Sequence, residues 1–232
     1  MANYFIIGGS SGIGRYLSIE LAKSGHHVYA TYNEHKPQTD SSRLIYNYCN
    51  VLDNEINVEF LPETIEGLVY CPGSINLKPF LRLNPMDFIN DFELQMVGAV
   101  KIIKATLPRL KASGNASIVL FSTVAVQMGF PFHTQVSTSK GAIEGFSKYL
   151  AAEFAPQIRV NCVAPSLTDT PMAAHLLSSE DKREANAQRH PLKKIGNPED
   201  ISNMIEFLLS EKSGWITGQV FHVDGGMSTI KN

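Results

Sequence analysis

At 232 residues, 44% of them hydrophobic, 18% charged and 9% aromatic, the chain has ample material for a buried core and none of the polar bias of a disordered segment. A formal net charge of −2 with the seven histidines left neutral, and no uninterrupted Lys/Arg cluster, argue against nucleic acid as a partner. No apolar run reaches spanning length, and the opening Met1 to Ile7 leads into a glycine turn rather than a cleavable leader, so a cytoplasmic protein with no membrane partner is expected.

Tyr4 to Ile7 is a short apolar run that ends in Gly8-Gly9-Ser10-Ser11-Gly12-Ile13-Gly14, after which Leu17, Ile19, Leu21 and Ala22 recur with helical spacing. Gly25 closes that helix and His27 to Thr31 gives a second strand, which completes a βαβ unit. A strand over Ile45–Cys49 and another over Gly67–Tyr70 follow, then a long amphipathic helix from Pro85 to Leu110 that is expected to end near Pro108. Ser117–Phe121 reads as a buried strand, Ser137–Phe154 as a helix and Ile158–Val163 as the next strand.

The polar stretch from Leu167 to Arg189, within a segment of about 167–190, breaks this alternation and suits a mobile helical flap over a binding crevice. Met172, His175, Leu176 and Leu177 would give it a partly apolar underside. A helix over Pro198–Leu209 and a strand over Gln219–Val223 complete the pattern. Alternating strands and helices predict an α/β chain with a doubly wound parallel sheet, as one domain over residues 1–232. Cys49, Cys71 and Cys162 lack the paired spacings of zinc or redox motifs and read as buried free thiols, so no metal is expected.

A glycine turn between a strand and a helix lets backbone approach a pyrophosphate, while the helix N-terminus offers free N–H groups and partial positive charge. Gly8, Gly12 and Gly14 are spaced G-x-x-x-G-x-G. In this the chain resembles the short-chain dehydrogenase/reductase family. Asn161-Cys162-Val163-Ala164-Pro165-Ser166, Asp169-Thr170-Pro171-Met172, Ile195 to Ile201, Trp215 to Gln219 and Val223 to Met227 are similar to further signatures of that family. The resemblance implies a Rossmann-type sheet of about seven parallel strands with helices on both faces, a nicotinamide dinucleotide cofactor, a small-molecule carbonyl or alcohol substrate, and a homodimer or homotetramer.

The same resemblance assigns roles. Gly8, Ser10, Ser11, Gly12, Ile13, Gly14 and Arg15 would meet the phosphates, Thr31, Tyr32 and Asn33 the adenosine ribose, Asn50 and Val51 the adenine. Gly73 would lie near that ribose, and Pro165, Ser166, Thr168 and Thr170 near the nicotinamide, with Thr170 holding the carboxamide. NAD-selective relatives carry an acid at the end of the second strand; here the stretch reads Ala30-Thr31-Tyr32-Asn33, Glu34 comes late, and Arg15 and Lys36 offer positive charge, which favours NADP(H) over NAD(H).

Carbonyl reduction needs an acid at the substrate oxygen and a neighbouring ammonium that lowers its pKa, which the family supplies with Tyr-x-x-x-Lys. Lys140 matches the lysine, but position 136 is valine. The interval of thirteen residues from Thr123 to Val136 matches the family's serine-to-tyrosine spacing, and neither Gln135 nor Ser137 restores a phenol. Thr123 stands for the family serine, Gln95 for its asparagine, and Tyr70-Cys71-Pro72-Gly73 for its Asn-Asn-Ala-Gly. The resemblance also implies a second role for Lys140, on the nicotinamide ribose. Among nearby side chains His133 is the leading substitute acid, with Ser122 a weaker one. Two functions follow: an oxidoreductase with altered proton delivery, or a dinucleotide-binding sensor or structural subunit that has lost turnover.

Overall fold

In the computed structural model, which describes residues 1–231, seven strands form one parallel sheet. They are β1 (Asn3–Ile7), β2 (His27–Tyr32), β3 (Leu44–Tyr48), β4 (Gly67–Tyr70), β5 (Ala116–Phe121), β6 (Ile158–Pro165) and β7 (Val220–Val223), in the order β3-β2-β1-β4-β5-β6-β7. The order runs outward from β1 in both directions, so the chain switches sides between β1 and β4. Tyr4 pairs with Val28 on one flank and with Gly67 on the other. Connections on opposite faces part at such a point and leave a crevice at the carboxyl ends of the strands.

The central strands read as continuous apolar runs because both faces are covered. On one face α1 (Gly12–Lys23) and α6 (Pro198–Leu209) pack Leu17, Leu21, Ile201, Ile205 and Leu208 against Ile6, Val69 and Val119. On the other, α3 (Gly98–Ala112) and α4 (Thr134–Phe154) set Ile102, Leu110, Ile143 and Phe154 against Phe5, Leu68, Ile118 and Val160.

Most strand ends differ from the sequence expectation by one or two residues, and the helical segments differ more. The helix from Pro85 is not uniform: α2 (Pro85–Phe92) passes through a π-helical turn, Glu93–Val97, into α3. It also continues through Pro108 to Ala112, because Leu110 is fully buried against the sheet and only one N–H is lost at the proline. The α4 helix begins at Thr134, three residues before the expected Ser137, with a continuous run that already buries Gln135 and Val136. The expected flap contains a 3₁₀ segment, Pro171–Leu177, and a short helix, α5 (Glu180–Gln188), joined to the preceding loop by the Arg183–Asp169 ion pair at 2.7 Å. Among the described residues no helix is long and apolar enough to cross a membrane, and no cluster of His, Cys, Asp and Glu has a metal-binding arrangement.

Candidate active site

A cavity of about 530 Å³ opens at the carboxyl ends of β1, β4, β5 and β6, within the range of small-molecule and cofactor sites. Its first wall is the turn between β1 and α1. Gly8 sits at φ +73, and a Cβ on Gly14 would collide with the Gly8 carbonyl, so backbone packs on backbone there. The Gly8 N–H donates to Thr31 Oγ1 at 2.9 Å, which ties the turn to the end of β2. Ser11 caps α1 without a side-chain hydrogen bond, and the first turn of the helix carries no acid. Its leading N–H groups are therefore left to an anion. Thr170 closes over this turn: its Cβ and Cγ2 lie 3.5 Å from where a Gly12 Cβ would stand. An uncapped helix end and a cradle that a side chain would fill fit a dinucleotide pyrophosphate.

The adenosine end is less complete than the sequence reading had it. Thr31, Asn33, Asn50 and Val51 line the cavity, as do Gly8, Ser10, Ser11, Gly12, Ile13, Gly14 and Gly73. Arg15 and Tyr32 do not: Arg15 is exposed and reaches Tyr46 on β3, while Tyr32 packs edge-on against Tyr48 with ring centres 6.0 Å apart. Alternation along β2 accounts for Tyr32, which points to the opposite face from Thr31. Lys101 donates to the carbonyls of Val51 and Asp53 and so holds the loop after β3 in place.

At the other end, α4 brings Val136 and Lys140 to one wall, one helical turn apart. Both are buried, and Lys140 Nζ donates to the Phe121 carbonyl at the end of β5, 2.9 Å away. Burial pulls the Lys140 ammonium down to about 8, against the opposing influence of Cys162, Asp91 and Cys71. Burial also pushes the thiols of Cys71 and Cys162 up to about 12, which keeps both protonated and unreactive near neutral pH.

Gln95 lies in the π turn, outside the cavity lining, and is buried. Its Nε2 donates to both oxygens of Asp91 at 2.8 Å, and Asp91 Oδ1 also accepts from Ser74 Oγ at 2.6 Å. With its amide nitrogen fixed in this way, Gln95 Oε1 has no partner and faces Gly73, where a Cβ would lie 3.4 Å from it and 3.6 Å from Lys140 Nζ. The hydroxyl of Tyr70 donates to the Leu94 carbonyl inside the π turn, and a Cβ on Gly98 would strike it. Tyr70 thus supports the turn that presents Gln95.

Thr123 caps the 3₁₀ turn Val124–Val126, its Oγ1 accepting the Ala125 N–H at 3.3 Å, and it lines the cavity. Ser122 also lines the cavity, but its hydroxyl is committed to Glu144, donating to Oε1 at 2.5 Å. His133 lines the cavity mouth, half-buried beside Phe130, and its Nδ1 meets the Pro131 carbonyl at 2.8 Å. Thr168 and Thr170 use their hydroxyls on the carbonyls of Ser166 and Thr168, which knits the loop after β6. Pro165 and Ser166 line the cavity beside them. The sequence reading missed His190, whose Nε2 lies 2.8 Å from Ser166 Oγ, and Asp91. Neither is adjacent in sequence to the residue it serves, and no spacing motif announces them.

Fold and site together define a Rossmann-type dinucleotide-binding protein. The chain belongs to the short-chain dehydrogenase/reductase family, a family of NAD(P)-binding oxidoreductases: a family model described as enoyl-(acyl carrier protein) reductase matches residues 8–228. Over 238 residues it is 30% identical to the 3-oxoacyl-[acyl-carrier-protein] reductase FabG of Aquifex aeolicus, covering 96% of this chain and 95% of that one. It is 31% identical to a tropinone reductase homologue of Arabidopsis thaliana, covering 96% of this chain and 88% of that one. Among solved structures, ElxO with NADP bound superposes with a TM-score of 0.89 at 27% identity over 99% of this chain and 100% of that one.

Proposed function

We propose that the chain is an NADP(H)-dependent oxidoreductase that interconverts a carbonyl and an alcohol on a small-molecule substrate, with proton delivery altered from the family pattern. Lys140 carries the reading: a buried cation shares one cavity with the uncapped N-terminus of α1. When bound, the cofactor supplies or accepts the hydride. In this reading Gly8, Ser10, Ser11, Gly12, Ile13 and Gly14 hold its pyrophosphate, and Thr31, Asn33, Asn50 and Val51 the adenosine. Lys140 binds the nicotinamide ribose, and Pro165, Ser166, Thr168 and Thr170 the nicotinamide. Thr123 orients the substrate oxygen, and Gln95 Oε1 with Lys140 holds a water behind it.

No acid stands at Tyr32 or Asn33, directly after Thr31, and Lys36 is exposed just beyond, which supports NADP(H) although Glu34 lies between them. A Tyr-to-Phe variant of ElxO with NADPH bound, at 26% identity and a TM-score of 0.86, is a related fold that holds this cofactor without one tyrosine. We further propose one cytoplasmic domain that forms a homodimer or homotetramer, since Leu81, Met86 and Ile89 around α2 and Trp215 near β7 leave large apolar surface uncovered.

Val136, apolar and buried where the family places its acid, favours a second reading in which cofactor is bound without turnover, as a sensor or as a structural subunit. Calorimetric titration with NADPH and NADH, followed by absorbance assays over a panel of aldehydes, ketones and quinones, separates the two. The enzyme reading requires NADPH to bind more tightly than NADH and to be consumed with at least one carbonyl; binding with no consumption across the panel selects the second.

A further inference from the structure

We propose that Ser166 and His190 together replace the missing phenol as the acid and base at the substrate oxygen, an assignment that rests on the oxidoreductase reading above. Ser166 follows the last residue of β6, and its backbone is held on both sides: its N–H donates to the Val223 carbonyl at 3.3 Å and its carbonyl accepts from Thr168 Oγ1 at 3.0 Å. Its hydroxyl meets His190 Nε2 at 2.8 Å, with Met227 Sδ a weaker neighbour at 3.6 Å. His190 lies just beyond α5, only 2% exposed, and its Nδ1 meets the Asn186 carbonyl at 2.9 Å.

The carbonyl fixes the tautomer. An oxygen lone pair accepts only from N–H, so Nδ1 carries the proton and Nε2 of the neutral ring is left as the acceptor of the Ser166 hydroxyl. A hydroxyl on a base that is itself oriented by a third group is the arrangement that activates an oxygen for proton transfer. The backbone of Gly225, at φ +62, lies against the ring: a Cβ there would stand in van der Waals contact with His190 Cβ at 3.5 Å and with its Cδ2 at 3.6 Å. Ser166 and His190 open onto the cavity that Thr123, Val136 and Lys140 share.

His133 lacks these features. It is partly open to solvent, and its ring contacts a carbonyl two residues away and the Phe130 ring, with no hydroxyl on either nitrogen.

In the reducing direction the electron pair of the hydride enters at the carbonyl carbon, the C=O π pair moves to oxygen, and that oxygen takes the Ser166 proton. Ser166 Oγ takes the Nε2 proton of the His190 imidazolium, formed before the transfer when the neutral ring takes a solvent proton at Nε2, and this leaves a neutral ring with its Nδ1–H on Asn186. Oxidation runs the same transfers backwards: the alcohol proton passes to Ser166 and the Ser166 proton to Nε2 of the neutral ring, which is the state the hydrogen bonds describe.

The test uses the full chain, NADPH and the carbonyl panel. Ser166→Gly, which keeps the turn backbone unhindered, and His190→Gln are each expected to lower kcat by about 100-fold, the lower end of what a positioned acid contributes. The double variant should be no slower than either single one, since the pair acts as a unit. Rates are compared at saturating NADPH, since Ser166 also lines the nicotinamide site, while NADPH affinity by calorimetry should stay within about twofold in His190→Gln; nitrogen NMR of the apo protein should show neutral His190 protonated at Nδ1, with its Nε2 resonance displaced in Ser166→Gly. Wild-type rates in both single variants overturn the dyad and leave the oxidoreductase reading standing, as does a loss confined to His133→Ala. A wild type that binds NADPH but reduces nothing, while Val136→Tyr does reduce, overturns the dyad as acid. Silence in both overturns the oxidoreductase reading and the dyad with it. A ring protonated at Nε2 overturns the relay whatever the rates.

Discussion

The two ends of the cavity are built from different materials. The end proposed for the phosphates is backbone: Gly8 at φ +73, Gly14 packed on the Gly8 carbonyl, and the free N–H groups at the start of α1, all within seven consecutive residues. The end proposed for the reaction is side chains gathered from five places: Gln95 from the π turn, Thr123 after β5, Val136 and Lys140 from α4, and Ser166 after β6 with His190 behind it. Backbone chemistry is the same whatever the substrate, so the first end has little freedom to change while the chain still binds a dinucleotide. Side-chain chemistry can be rearranged at one position, as at Val136, without disturbing the sheet that carries it.

The largest effect is expected where backbone meets backbone. In Gly14→Val the new Cβ would strike the Gly8 carbonyl, and neither partner is a flexible side chain that can yield, so the turn must open. NADPH binding measured by calorimetry should weaken by on the order of 100-fold, equivalent to about 3 kcal/mol. The sheet contacts of β1 are not touched, so circular dichroism should be unchanged. Retention of wild-type affinity would mean that the turn is not where the cofactor is held.

At the reaction end the informative change adds chemistry. Val136→Tyr places a phenol one turn before the Lys140 ammonium, facing open cavity rather than packed core. Carbonyl reduction should rise by on the order of 100-fold, the lower range for a positioned general acid. A rise shows that the rest of the end, Thr123 and Gln95 included, is still in register; a rate no higher than wild type shows a pocket remodelled beyond its acid.

The same contrast decides what the sequence disclosed. The strands, the order of helices and the glycine turn were legible because each rests on local periodicity or on adjacent residues: Tyr4–Ile7 into Gly8–Gly14 is one unbroken stretch. Lys140, Val136 and Thr123 were legible only through spacing along α4 and back to β5. The resemblance put Arg15 at the phosphates and Tyr32 at the adenosine ribose, yet strand alternation turns Tyr32 away and Arg15 reaches Tyr46 outside the cavity lining. The Asp91–Gln95–Ser74 cluster was hidden because a π turn, invisible in an apolar pattern of period 3.6, sets the direction of Gln95. Ser166 and His190 are 24 residues apart and meet only because α5 folds back to the end of β6.

The smallest effect tests whether the reaction end bears an electrostatic cost that the phosphate end does not. Burial holds the Lys140 ammonium at about 8, below its ordinary value of 10.5, so between those limits the unfolded chain binds a proton that the folded chain does not. Stability therefore rises with pH across that window and is lowest, as far as this group is concerned, below about 8. The thiols act with the opposite sign. Cys49 is raised to about 11 and Cys71 and Cys162 to about 12 from an ordinary 9.0, so above pH 9 the unfolded chain releases protons that the folded chain keeps, and stability falls. With three thiols against one lysine, the two contributions nearly cancel between about pH 8 and 9, where each is worth about 1 kcal/mol because one unit of pH across one titration is at most 1.36 kcal/mol. Urea midpoints at closely spaced pH values should be nearly level across that window in the wild type, and should fall across it in Lys140→Met, which keeps the side-chain bulk without the charge. Parallel falls in the two proteins would mean that the Lys140 ammonium is not held down by burial in the folded state, and the buried cation on which the functional reading rests would be lost with it.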